Sequence, residues 1–147
     1  MSIEQLQDFH QVRRILRAVA PEFRTLATNN LSSGEYALDV TKKTIEIGEG
    51  TPIKEAVNLM LFSVGHVLLR SNDKYELLFG KGIAQWSKSE EELIDNLSDL
   101  GESADAVAAK WAVDTLQAYW QQSEEEAKAA IDPLRMNKSE WRSYFSA

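Results

Sequence analysis

The chain has 147 residues, of which 44% are hydrophobic and 27% charged, and its formal net charge is −7. That length and balance suit one globular domain with a real core, and the absence of cysteine excludes disulfides, thiol nucleophiles, zinc fingers and iron–sulfur ligation. The acidic balance argues against non-specific nucleic-acid binding, which draws its affinity from cations that neutralise phosphates.

Residues 2–20 read as a helix. Ser2 and Gln5 have capping-box spacing, and Ile3, Leu6, Phe9, Val12, Leu16 and Val19 recur at three and four residues as one apolar stripe. Arg13, Arg14 and Arg17 lie off that stripe. Pro21 punctuates, and is expected to open a second short helix through Phe23 and Leu26. Residues 29–34 have turn chemistry. Tyr36, Leu38 and Val40 then alternate with polar residues, as do Ile45 and Ile47 after Thr41, Lys42 and Lys43. Two alternating runs around a short polar link predict a β-hairpin, ended by Gly48 and Gly50.

Thr51 and Pro52 read as N-cap and first helical residue of a helix over 53–69. This helix is apolar on nearly every side, so it should be buried all round, under the hairpin on one side and other helices elsewhere. Asn58, Ser63 and His66 interrupt it, and it is too short and too polar to span a bilayer. The N-terminus shows no apolar run after a basic start, so a cytoplasmic location is expected. Arg70, Ser71, Asn72 and Asp73 end the helix, and the GKG at 80–82 marks a loop.

Ser89 and Glu92 form a second capping box, for a helix through Leu93, Ile94, Leu97 and Leu100 with Gly101 at its end. Ser103 starts the next helix, with Val107, Trp111, Leu116 and Trp120 as its expected buried residues. A further helical piece over 124–131 should break at Asp132 and Pro133. Trp141, Tyr144 and Phe145 should dock the tail. The expected fold is α+β and mostly helical, with one small antiparallel hairpin or sheet packed on a central buried helix.

Charge is unevenly placed. Residues 1–86 hold 10 acids and 10 bases, whereas 87–147 hold 13 acids and 6 bases. The run 90–105 has seven acids and no base. Such a run reads first as a solvated helix face and second as a docking surface for a protein with a basic surface.

Few residues carry chemistry. His10 and His66 are the two histidines, and neither has a histidine at the i, i+4 spacing that turns two imidazoles to one ion. A lone histidine on a buried helix is expected to be a hydrogen-bonded core residue, so no metal and no cofactor are assigned. Ser63 lies three residues before His66, close enough for contact, but no oxyanion hole or orienting acid is visible beside them. Asp105 and Asp114 lie on a later helix, and Glu55 near the start of the buried one. The GEGTPIKE string at 48–55 lacks the spacing of either glycine-rich phosphate motif, and a hairpin exit into a helix explains it. Four tryptophans, Trp86, Trp111, Trp120 and Trp141, read as core of the helical half more than as a groove.

The order helix, hairpin, buried helix with a late histidine, loop, helix resembles the minimal zincin-type metallopeptidase domain. In that family the buried helix carries a string like HExGHxLL and a later helix one like ExEAD. Here FSVGHVLL at 62–69 matches the first at Gly65, His66, Leu68 and Leu69, and GESAD at 101–105 matches the second at Ala104 and Asp105. The first ligand position is Phe62, the general-base position Ser63 and the third-ligand position Gly101, so only His66 remains of the metal-and-base set. One imidazole cannot hold zinc in three-ligand geometry, and without the glutamate nothing there activates water.

The resemblance therefore implies a single domain over 1–147, with a zincin-like core over about 1–120 and a helical, aromatic tail over 121–147. It implies a non-catalytic scaffold acting as a protein-binding or regulatory module, of a kind found in phages and mobile elements. Two alternatives stand beside it. One is a metal-independent enzyme using His66 with Asp105 or Ser63. The other is an acidic inhibitor or nucleic-acid mimic, which requires 90–105 and 124–132 to form one continuous negative face.

Overall fold

The structure, a computed structural model, describes residues 3–39, 42–71, 87–136 and 140–142. Helix α1 (Ile3–Val19) leads into strand β1 (Arg24–Thr28), then β2 (Tyr36–Asp39) and β3 (Thr44–Gly48). Helix α2 (Ile53–Leu69) follows, then α3 (Glu90–Asp99), α4 (Ala104–Trp120), α5 (Glu124–Met136) and a short strand β4 (Glu140–Arg142). The fold is α+β and mostly helical. No helix among the described residues is long and apolar enough to cross a membrane.

The expected hairpin is present, with β2 antiparallel to β3 and Leu38 opposite Ile45. It forms the centre of a four-stranded mixed sheet, in the order β1-β3-β2-β4. Both outer strands are parallel to their neighbours, β1 to β3 and β4 to β2. Residues 24–28 are strand β1, not a helix through Leu26. Helix α5 also runs through Pro133 to Met136 instead of breaking there. Proline removes one backbone donor and strains the turn before it, but Leu134, one residue beyond, packs against the core and holds the chain on its helical course.

Helix α2 is the axle of the molecule. Every residue from 59 to 69 is buried, as is Val57. It packs on α4 most extensively, then on α1, α5 and β3. The core around it includes Val12, Leu16, Leu38, Ile45, Ala112 and Ile131, so α5 contributes to the same core as α1 and the sheet. Trp111 and Trp120 are half-buried against it, and Trp120 donates from its indole N–H to Asp8 at 2.8 Å. Trp86, the GKG at 80–82, Asn72, Asp73, the Ser2 cap, Tyr144 and Phe145 lie outside the described residues.

Local chemistry explains the helix boundaries. The α2 cap position is Pro52, with no side-chain cap bond, which corrects the reading of Thr51. Thr51 instead staples two turns: its hydroxyl donates to the Gly48 carbonyl at 2.6 Å and accepts from the Gly34 N–H at 2.9 Å. Ser89 caps α3 by accepting from the Glu92 N–H, and Glu92 reaches back to the Lys88 N–H instead of Ser89's. Gly101, at φ +74°, ends α3 in a Schellman turn, with Glu102 N–H bonded to Leu97 O and Gly101 N–H to Ser98 O.

Candidate functional site around His66

The crossing of α2 and α4 is set by Gly65. A Cβ added there would lie 2.7 Å from the Ala108 carbonyl oxygen and 2.9 Å from its Cα. The missing side chain lets the two backbones nearly touch, and that closeness brings Asp105, on the first turn of α4, over His66. Ser103 caps α4 by accepting from the Ala106 N–H at 3.2 Å, and the helix dipole favours a carboxylate such as Asp105 in that first turn.

His66 is 1% exposed, and both its ring nitrogens are engaged. Nε2 lies 3.0 Å from Asp105 Oδ1, at ion-pair distance but off the line of a straight hydrogen bond. Nδ1 lies 2.6 Å from Nη1 of Arg70, which is itself 4% exposed and also donates to the His66 carbonyl at 3.3 Å. A guanidinium can only donate. Nδ1 is therefore the acceptor, the imidazole is neutral, and its proton sits on Nε2, the nitrogen nearer Asp105. Cation, neutral ring and anion thus form a row that links the last turn of α2 to the first turn of α4. Arg70 also sits where a helix C-terminus favours positive charge.

Phe62 closes one side. Its ring meets the imidazole edge-on, with centroids 4.9 Å apart, and meets Tyr36 at 6.3 Å. Ser63 is fully buried and its hydroxyl has no hydrogen-bond partner, so Ser63 does not form a pair with His66. The structure therefore brings together His66 and Asp105, and leaves Ser63 apart. His10 is elsewhere, exposed on α1 beside Arg13, Arg14 and Arg17.

These residues do not fit a metal ion. One imidazole nitrogen accepts from a guanidinium and the other carries the proton, so no lone pair is free, and a fixed cation sits within 3 Å. Among the described residues no group of three His, Cys, Asp or Glu could hold one. Arg70 was the partner that sequence reasoning missed. Its i, i+4 spacing from His66 was the available signal.

No family model matches the chain, and neither does any curated protein or solved structure.

Proposed function

We propose that the chain is a non-catalytic, zincin-like scaffold that works as a protein-binding or regulatory module. The observation that carries this reading is the Arg70–His66–Asp105 row. It occupies both nitrogens of the one histidine at the HExGHxLL-like string, and it ties two helices together. The binding half of the reading rests on α3, where Ile94 is 52% and Leu100 57% exposed beside Glu91, Asp95 and Asp99. Acidic residues around exposed apolar ones suit a partner with a basic surface.

The alternative of an enzyme using His66 with Asp105 draws on their 3.0 Å approach and on the partial exposure of Asp105. It is disfavoured because the imidazole is buried and Arg70 holds its only lone pair. The acidic-mimic reading needs an unbroken negative face. Lys110 and Lys128 line the hollow where α4 meets α5 together with Asp114, Glu124 and Asp132.

The test combines zinc analysis with histidine NMR. After incubation with zinc and desalting, the chain should hold well under one equivalent. Long-range proton–nitrogen spectra should show His66 as the Nε2–H tautomer. Stoichiometric zinc that disappears in His66→Ala, or hydrolysis of a peptide substrate that it abolishes, would sink the reading.

A further inference from the structure

A second surface lies beside the first half of α2, around Ile53 and Met60, and is independent of the zincin resemblance. Among the described residues, strand β1 lies at the edge of the sheet and pairs with β3 alone. It is the most exposed strand of the first three, and its Leu26 is 41% exposed. An open edge presents unpaired backbone donors and acceptors, which natural proteins usually blunt with charge, proline or a bulge. Here one charged residue, Arg24, stands at the strand's start, and its middle is Leu26 and Ala27.

Beside this edge runs an apolar hollow of about 310 Å³, lined chiefly by Phe9, Leu26, Ala27, Ile47, Ile53 and Met60. Phe9 also meets the next feature along α1. The Arg13 guanidinium lies 5.8 Å from the centre of the Phe9 ring. From there His10, Arg13, Arg14 and Arg17 line a second hollow of about 360 Å³. Among the described residues, no carboxylate pairs with any of these four. In a chain of net charge −7, a concave face with three arginines and, among the described residues, no acid is unexpected unless something acidic visits it. Among the described residues, Glu49, in the apolar hollow, is the one acid lining either cavity.

The geometry points to a peptide-docking site in which an extended segment adds to the outer edge of β1. Alternate apolar side chains of that segment enter the hollow beside Phe9, and its acidic residues meet Arg13, Arg14 and Arg17. Backbone pairing supplies the fixed register, and the hollow and the arginines supply the selectivity. Strand β1 offers five residues, a run of about 16 Å, so the segment is of similar length. Its charge is opposite to that of the partner suited to α3, so the two surfaces would hold different proteins.

The experiment selects random seven-residue peptides against the whole chain, then titrates the synthesised consensus. Alternating apolar residues with Asp or Glu towards one end are expected. Arg14→Glu/Arg17→Glu and, separately, Leu26→Lys should each weaken the consensus peptide about tenfold or more, the first chiefly at low salt. All three positions are exposed, so circular dichroism and melting of these variants should match the parent, which separates lost binding from lost folding. Three outcomes overturn the proposal. One is a consensus without acids or alternation, or one indifferent to both variants. Another is tighter binding of a single-stranded oligonucleotide than of the peptide. The third is a self-associated chain that Leu26→Lys returns to monomer, which would make a second copy the occupant.

Discussion

Helices α1 and α2 each span seventeen residues and pack against each other, yet they solve opposite problems. Helix α1 buries Val12, Ile15 and Leu16 and turns His10, Arg13, Arg14 and Arg17 outward. Helix α2 has no outward face over its last three turns. The outward cations of α1 face solvent, where they can meet a partner. Polar groups on α2 must find partners inside the fold or remain unsatisfied. His66 and Arg70 find them, and Ser63 does not. A buried polar residue is thus weak evidence of chemistry until its hydrogen bonds have been accounted for.

The contrast is broken most strongly at His66. His66→Ala opens a ring-sized hole beside Phe62 and removes the acceptor of a buried guanidinium, so it should cost about 3 kcal/mol in urea unfolding. A loss under about 0.5 kcal/mol would place His66 among residues kept for something other than stability. Gly65→Ala comes next. On an exposed helix that change gains about 1 kcal/mol. Here the new Cβ meets the Ala108 backbone and α4 must move, so a loss of about 2 kcal/mol is expected instead. The same displacement should lift Asp105 away from His66 and change the imidazole NMR signature.

Ser63→Ala sharpens the comparison from the other direction. A buried hydroxyl without a partner is a cost, and alanine is the better helix former. The variant should be more stable by about 1 kcal/mol, where the same change at a bonded serine would be destabilising. If thermal unfolding instead shows a loss, the hydroxyl has a partner in solution.

Much of this was legible beforehand because it is local. The C-terminal end of α2, the Ser89 and Ser103 caps, the Gly101 terminus and the β2–β3 hairpin all follow from spacing within a few residues. What the reading missed depends on distant chain. Strand β1 is short, exposed and parallel to a partner twenty residues on, so its own pattern was too weak to identify it against the helix signal of Pro21. The continuation past Pro133 depends on where Leu134 lands. At the site, His66 and Asp105 could be named as candidates from the sequence. The arginine between helix end and imidazole could not be weighted, because nothing in the pattern says that Arg70 turns inward.

The smallest effect belongs to an ion pair placed like the α1 cations, in water. Glu124 and Lys128, at i, i+4 on α5, approach to 2.7 Å with both side chains more than half exposed. The hydrogen bond from Lys128, and then its charge, hold the Glu124 carboxyl below its ordinary value of 4.5, and the same bond and charge raise Lys128 above 10.5. A lowered carboxyl stabilises above its unfolded value and loses that contribution as pH falls through the folded one. A raised ammonium stabilises below its unfolded value and loses its contribution as pH rises through the folded one. The pair is therefore fully present between those limits and fades outside them. Glu124→Gln should lower the melting temperature only at the edge of detection near neutrality, because solvent screens an exposed pair. The gap should close in acid, where the parent's carboxyl is protonated too. A gap that persists there would mean that Glu124 acts through packing, and that even this exposed turn of α5 resembles α2 more than α1.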